Sequence, residues 1–336
     1  LALLSGNIGI RGGGSYFHQH SYRNLNLRWT IPARRKSRRS FPISTIGESI
    51  LVAKDPPIKL VWVNGINVVN QAPDSRRIAR ALEQVEFKVV VDAFMNDTAQ
   101  RADLILPTTL MLEQEDIIGS YMHEYVQHVR KVLSPPSEAR DDMWILSEIG
   151  RRLDPPIELP DAERCLRDSL ESPYLKVTLE ALRQVGWARA DRPAVAFANM
   201  RFDHQDGKYR FPAALHPEPA ADAGYPLQLL SLVRRDAIHS QILPEDQDEV
   251  PQAWIAPDNP ALSQIDRSKD VFLVSPVGRL KIDLQTMPGL HREVVLYRRG
   301  DWMNRSGGIN QLIAAGVTDL GSGAPFYDQK VRLENA

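Results

Sequence analysis

Apolar residues in the first half of the chain form short runs that alternate with helical patterns. Residues 60–63, 89–91 and 104–106 are runs of aliphatic or aromatic side chains, which are typical of strands buried in a parallel sheet. Between the first two runs, residues 74–84 place apolar side chains on one helical face. This order of strand, helix and strand predicts a parallel sheet with right-handed crossovers, so residues 46–153 are interpreted as one α/β domain.

The last third of the chain has a different pattern, in which short β-rich runs are separated by turn signals. These runs lie at 227–233, 253–255, 271–274, 280–284 and 294–297. Proline, glycine and aspartate fall between them, and regularly spaced short strands predict a closed barrel or a sandwich for residues 225–336.

The other segments give fewer signals. Residues 154–224 hold two expected helices, at 161–171 and 174–185, followed by polar, proline-rich sequence, and are interpreted as a connecting helical and irregular segment. Residues 1–45 are Gly-rich, then polar, then basic, which indicates the remnant of a preceding domain and a linker. The basic run at 34–39 could bind phosphates, and a solvated or shielded loop is the alternative.

A further helix is expected before residue 153. Asp141 or Asp142 would be its N-cap, because a carboxylate at this position accepts from the free N–H groups of the first turn. Its apolar face would consist of Trp144, Ile145, Ile149 and Leu153.

Length and composition narrow the class of protein. The chain has 336 residues, of which 43% are hydrophobic, and a formal net charge of −1, so neither nucleic acid nor a membrane surface is expected as a partner. No apolar run approaches the roughly 18 residues that a membrane-spanning helix needs. The single cysteine, Cys165, excludes an internal disulfide. It also excludes an iron–sulfur cluster held by this chain alone, since such a cluster needs about four thiolates.

Several stretches of sequence resemble one known family. The densest is D-x-F-M-x-x-T-A-x-x-A-D-L-I-L-P-T-T-x-x-L-E at 92–113, and a P-P-x-E-A-R segment follows at 135–140. The others are Y-P-L-x-L-L-S-L-V-R-R-D-A-I-H-S-Q at 225–241, S-P-V-G-R-L-K at 275–281 and G-D-W-M-N-R-S-G-G-I-N-Q-L at 300–312. In order and spacing these stretches resemble the molybdopterin oxidoreductases of the dimethyl sulfoxide reductase and formate dehydrogenase type.

The resemblance implies a fold and a cofactor. It implies an α/β domain that binds molybdopterin guanine dinucleotide, followed by a six-stranded double-psi β-barrel that covers the pterins. The implied cofactor is molybdenum bis(molybdopterin guanine dinucleotide), and the implied reaction is two-electron redox chemistry or oxygen-atom transfer at molybdenum.

In the α/β domain, the resemblance implies that strand ends contact the guanine dinucleotide. Asp92 would accept hydrogen bonds from the guanine edge, and Asn67 keeps an amide where the family has Asn-Pro. Asn96 and Thr98 in the following loop, and Asp142, complete this set of candidates. Each also has a structural alternative, because Asn67 could stabilise a turn and the other residues could cap helices.

In the barrel, the resemblance implies that loops bind pterin and phosphate. The candidates are Arg234, Arg235, His239, Ser240, Gln241, Trp302, Asn310 and Tyr327. A guanidinium group can bind pyrophosphate through paired hydrogen bonds, and an asparagine in a Gly-rich loop offers donors and acceptors to a flat ligand. Relatives often have lysine at the position of Tyr327. A surface arginine and a structural histidine are the alternatives for these positions.

Histidine and acidic residues do not predict a metal site. His18 and His20 lack a third partner, and His123 and His128 do not share a helical face. The three acids within 113–116 could bind a divalent ion, but a solvated acidic face is the expectation.

We therefore expect the chain to be the C-terminal, cofactor-binding part of a molybdenum-dependent oxidoreductase. It opens on LALLSGNIGIRGGG, which has no signal-peptide pattern and resembles an internal passage of the family. In the family, the molybdenum ligand and the iron–sulfur cluster lie in the N-terminal half, so no catalytic or metal-binding residue is assigned here. The expected partners are that missing half, or a chain that supplies it, and an iron–sulfur electron-transfer subunit.

Two alternatives belong to other classes of protein. The chain could be a stand-alone cofactor-binding subunit of a split enzyme, or a noncatalytic structural subunit that kept the fold and lost the cofactor. The sequence leaves the substrate open. It also leaves open the bacterial cytoplasm and the periplasm, with the cytoplasm preferred.

Overall fold

The chain folds into two compact units, each built from two separate stretches of sequence. The computed structural model describes residues 1–15, 20–30, 39–214, 223–319, 321 and 323–336. The first unit is Leu1–Lys36 with Thr108–Glu218, and the second is Ser37–Pro107 with Pro219–Ala336. This division cuts across the predicted range 46–153, because the chain leaves the second unit after Pro107. The predicted domain boundaries stay a prediction.

The described residues form the following helices and strands. The α-helices are α1 (Ile46–Val52), α2 (Val68–Gln71), α3 (Ser75–Glu83), α4 (Asp142–Arg151), α5 (Ala162–Leu170) and α6 (Leu179–Val185). The strands are β1 (Leu60–Asn64), β2 (Phe87–Asp92), β3 (Leu104–Pro107), β4 (Asp116–Ile118), β5 (Tyr125–Val129), β6 (Trp187–Arg189), β7 (Leu227–Leu232), β8 (Gln252–Ile255), β9 (Val271–Val274), β10 (Arg279–Thr286), β11 (Val294–Arg298) and β12 (Lys330–Asn335). Within the described part of the chain, no helix combines the length and the apolarity needed to cross a bilayer.

In the second unit, β1, β2 and β3 form a parallel sheet with β2 in the middle. Val90 pairs with Val63 on one side and with Ile105 on the other. Helix α3 contributes Ile78 and Leu82 to the same hydrophobic core. The parallel sheet predicted from the alternation of patterns is therefore confirmed.

The second part of this unit is a closed barrel with the strand order β10-β8-β11-β7-β12-β9. Its interior includes Leu229, Ile255, Leu273 and Val295, each with 0% of its surface exposed. The closed barrel is confirmed, and its double-psi arrangement stays a prediction. The sequence pattern missed β12, which pairs with both β7 and β9, because its alternation of charged and apolar residues did not stand out.

A buried carboxylate joins the sheet to the barrel inside the second unit. Asp97, in the loop after β2, is fully buried and accepts hydrogen bonds from the backbone N–H groups of Met303 and Asn304, both at 2.8 Å. The Arg101 guanidinium donates to the Asp97 carbonyl at 2.7 Å. Two backbone donors on one buried carboxylate fix the barrel loop that follows Asp301 against the end of the sheet.

In the first unit, β4, β5 and β6 form an antiparallel sheet that packs on the helices α5 and α6. Val126, Leu179 and Leu182 are fully or almost fully buried in this core. The sequence analysis missed these strands because they are short.

The solvated acidic face expected within 113–116 is found only at Asp116, which is exposed. Glu115 accepts from Nε and Nη2 of Arg183 at 2.6 and 2.9 Å, and a ring nitrogen of His128 lies 2.7 Å away. The hydrogen bonds from Arg183 hold the pKa of Glu115 below its usual value. Glu113 is buried and accepts from the backbone N–H of Leu110 at 2.8 Å. Glu115 therefore links distant parts of the first unit, whereas Glu113 supports its own turn.

Helix α4 has the predicted cap but not the predicted apolar face. Asp141 accepts from the backbone N–H of Trp144 at 2.9 Å, which confirms the N-cap. Ile145 is buried, whereas Trp144 and Ile149 are 47% and 37% exposed. The buried side of α4 includes Gly150. A Cβ added there would lie 2.5 Å from the carbonyl oxygen of Ile157. The returning chain therefore packs on a side of the helix that the apolar residues did not indicate.

Helix α6 is shorter than the predicted range 174–185. It begins at Leu179 because the Thr178 hydroxyl accepts from the backbone N–H of Ala181 at 3.2 Å and acts as the N-cap. The predicted helix at 161–171 is confirmed, since α5 spans almost the same residues.

We predict that Asp97→Ala weakens the second unit by about 1–3 kcal/mol, because it leaves two buried backbone donors without an acceptor. Burial raises the pKa of Asp97. The native state then binds this proton more tightly than the unfolded chain does. The stability that Asp97 contributes is fully present below about pH 4 and declines as the pH rises through the native pKa.

Urea unfolding at acidic and neutral pH measures both effects. The loss caused by Asp97→Ala should be larger at acidic pH, while Asp283→Ala, at an exposed barrel position, is the control. A loss that grows towards neutral pH would contradict the account.

Candidate functional site

The carboxyl ends of β1 and β2 carry the polar residues predicted for the α/β domain. Asp92 is the last residue of β2, and its two carboxylate oxygens accept from the Phe94 N–H at 3.0 Å and from Asn96 Nδ2 at 2.7 Å. Each oxygen keeps one acceptor position, since a carboxylate oxygen has two lone pairs. The half-buried Asp92 can therefore accept further N–H donors from outside the loop.

Asn67 and Thr98 are buried beneath this edge. The Asn67 Oδ1 accepts from the hydroxyl and the backbone N–H of Thr98 at 2.8 and 3.2 Å. The Thr98 hydroxyl accepts in turn from the backbone N–H of Val69 at 3.1 Å. The Asn67 Nδ2 is buried without a hydrogen-bond partner. These residues link the ends of β1 and β2, so the side chain of Asn67 holds a distant loop rather than its own turn.

Asn96 shapes the loop itself. Its Oδ1 accepts from the backbone N–H groups of Thr98 and Ala99 at 3.1 and 3.0 Å, and its side chain is buried. A short 3₁₀ turn, Ala99–Arg101, follows directly. Asn96 therefore stabilises this turn and holds Asp92 at the same time.

A cavity of about 400 Å³ opens within the second unit, between the α/β part and the barrel loops. Three predicted residues line it, namely His239, Asn310 and Tyr327. Five polar residues that the sequence analysis missed also line it, namely Ser44, Asn70, Gln71, Arg299 and Asp301. The apolar remainder includes Ile66, Ile309 and Phe326. An apolar cavity with a few converging polar groups is typical of a small-molecule site.

Asp301 contributes an acidic side chain to the lining of this cavity, and 1% of its surface is exposed. Its Oδ2 accepts from the hydroxyls of Tyr297 and Ser306 at 2.5 and 3.0 Å. Its Oδ1 is buried without a hydrogen-bond partner. Burial raises the pKa of Asp301, and burial followed by the charge of Asp301 raises the pKa of Tyr297.

The two predicted arginines occupy different environments. Arg234 is partly buried, with its Nη2 3.9 Å from Asp301 Oδ1 and its Nε buried without a partner. Arg235 is exposed. Arg234 therefore lies beside Asp301 at the cavity wall, whereas Arg235 is a solvated side chain.

The segment 239–241 contributes His239 to the cavity wall and is bonded through Ser240 to Gln71 and Trp302. His239 has a left-handed backbone, with φ of 49°, and lines the cavity. Ser240 Oγ accepts from Gln71 Nε2 at 2.9 Å, and its carbonyl accepts from the indole N–H of Trp302 at 2.8 Å. Gln241 is exposed. Trp302 is 4% exposed, so its indole packs inside the unit.

Asn310 and Tyr327 lie on other parts of the cavity wall. The Asn310 Nδ2 donates to the Asn70 carbonyl at 2.6 Å, and its own carbonyl accepts from the Asp74 N–H at 2.9 Å. Tyr327 is 52% exposed, and its hydroxyl accepts from Arg299 Nη1 at 3.3 Å. Asn310 thus supports the wall, while Tyr327 and Arg299 form a polar pair at its edge.

Asp142 belongs to the first unit and is described there by itself. It is the first residue of α4, and its Oδ1 accepts from the Thr108 hydroxyl at 2.7 Å. This hydrogen bond fixes Thr108, the first residue of the stretch 108–218, to helix α4.

The described residues contain no group of three or more metal-ligating side chains. His20 stacks on the ring of Tyr22, and His128 lies against Glu115. His18 and the basic residues at 34–38 are outside the described residues, while Arg39 donates to the carbonyl of Pro56 at 2.6 Å.

Comparison with known proteins shows which family the chain resembles. Residues 1–152 match the family model for molybdopterin oxidoreductase. The protein named "Probable oxidoreductase YyaE" of Bacillus subtilis is 31% identical over 365 aligned positions, which cover 100% of this chain and 54% of that protein. The chain is therefore similar to the molybdopterin oxidoreductases, whose family model covers its first 152 residues.

Other similar proteins share less of their sequence with this chain. The "Probable dimethyl sulfoxide reductase chain YnfF" of Escherichia coli is 24% identical, over 99% of this chain and 51% of its own length. A nitrate reductase of Klebsiella oxytoca is 27% identical over 81% of this chain and 34% of that protein. The chain therefore spans about half the length of YyaE and YnfF, the longest-matching of these relatives.

A solved structure shows the same fold. The acetylene hydratase from Pelobacter acetylenicus superposes with a TM-score of 0.73 at 16% identity, over 88% of this chain and 46% of that protein. At this identity the likeness concerns the fold alone.

We predict that Gly300→Ala disturbs the cavity wall far more than Gly289→Ala does. Gly300 has a φ of +120°, and an added Cβ would lie 2.2 Å from the carbonyl oxygen of His239. Gly289 has a φ of +83° with open space around it. The expected losses of unfolding free energy are roughly 2–5 kcal/mol and about 1–2 kcal/mol, respectively.

Urea unfolding of both variants measures this difference. Equal losses would mean that the wall shifts freely at His239.

Proposed function

We propose that this chain is the cofactor-binding part of a molybdenum-dependent oxidoreductase, and that it holds the guanine dinucleotide form of molybdopterin. The observation that carries the proposal is the second compact unit. It combines a strand edge that bears the half-buried carboxylate of Asp92 with an apolar cavity at the barrel loops, into which a few polar groups converge. This combination suits a ligand with a guanine at one end and a pterin at the other.

Asp92 is the residue that fits the guanine end. Guanine presents neighbouring N–H donors on one edge, and Asp92 keeps one acceptor position on each oxygen. Asn96, Asn67 and Thr98 hold the loop that carries this carboxylate, so they act on the ligand through Asp92.

The cavity and its arginines fit the pterin and phosphate end. A volume of about 400 Å³ lies in the range of small-molecule pockets. His239 and Asn310 offer hydrogen-bonding groups to a flat heterocycle, while Arg234 and Arg299 each have a buried Nε without a partner. Phosphate oxygens accept strongly from guanidinium donors, so unsatisfied guanidinium groups near a cavity favour an anionic ligand. Arg235, Ser240, Gln241, Trp302 and Tyr327 stay proposed contacts or supports of this end.

When bound, the cofactor supplies the two-electron redox chemistry at molybdenum. The described residues bind and orient it, and the cavity wall excludes water from its apolar face. No catalytic residue is assigned to this chain. We propose that the molybdenum ligand and any iron–sulfur cluster come from a part of the enzyme, or a partner chain, that corresponds to the rest of the relatives' length.

A stand-alone binding or structural subunit is the second candidate. Relatives bear names such as dimethyl sulfoxide reductase chain and formate dehydrogenase subunit alpha, which describe parts of assemblies. Metal and guanine analysis of the native complex separates the candidates, because a structural subunit that lost the cofactor contains neither.

We predict that Asp92→Ala lowers the affinity for the dinucleotide by about 1.5–3 kcal/mol, since a charge-assisted hydrogen bond is removed. Guanine nucleotide released from the denatured native complex, quantified per chain, is the measurement. Ala substitution of Asp283 at an exposed barrel position is the matched control. An unchanged guanine content in the Asp92 variant would reject the role of this carboxylate.

We predict that Arg234→Ala depletes both molybdenum and guanine, whereas Arg235→Ala does so only weakly. Arg234 lies beside the cavity and Arg235 is exposed, so the two neighbours form a matched pair. Metal analysis and thermal unfolding of both variants are the measurements. Equal depletion by the two substitutions, or none by either, would contradict the assignment of Arg234.

A further inference from the structure

The carboxylate of Asp301 is held in one orientation by its neighbours. Its Oδ2 accepts from the hydroxyls of Tyr297 and Ser306, and Asn70 Nδ2 donates to its backbone carbonyl. Tyr297 is fully buried, and Asp301 is 1% exposed. A carboxylate that is fixed this firmly cannot rotate to find new partners without breaking buried hydrogen bonds.

The other oxygen of this carboxylate is directed to a cation. Asp301 Oδ1 accepts no hydrogen bond, and the Arg234 Nη2 lies 3.9 Å away. Arg234 Nε is also buried without a partner. A buried carboxylate is costly unless a positive charge compensates it. Burial raises the pKa of Asp301, and the charge of Arg234 offsets part of that shift.

We propose that Asp301 is a positioning residue for Arg234, holding its guanidinium beside the cavity so that its remaining donors face the phosphates of the cofactor. The proposal rests on the proposed function, and it adds a residue that was not among the cofactor-binding candidates of the sequence analysis. Asp301 does not contact the ligand in this role, and Tyr297 and Ser306 act through it.

A purely structural role makes a different prediction. Asp301 begins the loop whose next residues are bonded to Asp97, so its loss could loosen the loop without any effect through Arg234. The structural role predicts that substitutions at 301 and 234 add. The positioning role predicts that they do not, because both remove the same contact to phosphate.

The experiment measures the rate at which guanine nucleotide leaves the native complex after dilution, at several salt concentrations. The variants are Asp301→Asn, which keeps the shape of the side chain, Arg234→Ala, and the two together. Tyr297→Phe is a further variant, made alone and together with Arg234→Ala. It keeps the carboxylate of Asp301 but removes one hydroxyl that orients it. Asp283→Asn, at an exposed position of β10, is the matched control.

The positioning role predicts that Asp301→Asn and Arg234→Ala each speed release on the order of tenfold, the equivalent of about 1.4 kcal/mol. The double variant should release no faster than Arg234→Ala alone. Each should also flatten the salt dependence of release, because a charged contact to phosphate is lost. Tyr297→Phe should give a smaller effect that disappears in the Arg234→Ala background.

Two results would overturn the proposal. One is an additive effect of the two substitutions with an unchanged salt dependence, which is the signature of loosened structure. The other is release from Asp301→Asn at the wild-type rate. A wild-type complex that contains neither guanine nor molybdenum rejects the proposed function itself, and the inference falls with it. That outcome is recognised before any variant is made.

Discussion

The second compact unit depends on a carboxylate that has no exposed surface. Asp97 lies in the loop that follows β2, and its carboxylate accepts hydrogen bonds from two backbone N–H groups of the barrel loop, at Met303 and Asn304. Neither the sheet nor the barrel carries the proposed site alone, because the cavity wall takes residues from both. Two directed hydrogen bonds offset part of the energetic cost of burying this charge, and they fix the position of the barrel loop relative to the sheet.

The sequence predicted the elements of this unit well and the packing between them poorly. Buried strands such as 89–91 have a strong local signal, because both of their faces are covered and nearly every residue is apolar. Strand β12 carries only the weaker signal of alternating charged and apolar residues, with two apolar positions, and its pairing with β7 and β9 completes it. A strand whose identity depends on residues far along the chain cannot be read from a local window.

The candidate site shows the same limit at the level of single residues. The motif around Asp92 pointed to the strand edge, and the motif at 300–312 pointed to a loop that lines the cavity. It did not distinguish Trp302, which is packed inside, from Asp301, whose carboxylate faces Arg234. Adjacent residues in an irregular loop diverge according to tertiary contacts, and Asn70 and Arg299 joined the cavity for the same reason.

The order of the chain has a consequence for biosynthesis. The second unit is assembled from residues 37–107 and 219–336, so its first part leaves the ribosome long before the barrel exists. Until then the charge of Asp97 has no backbone donors from the barrel loop, and the apolar edge of the sheet lacks Met303. Contacts between such distant segments close late and slowly, which makes the nascent sheet the stage most exposed to misassociation and the natural point for a chaperone to act.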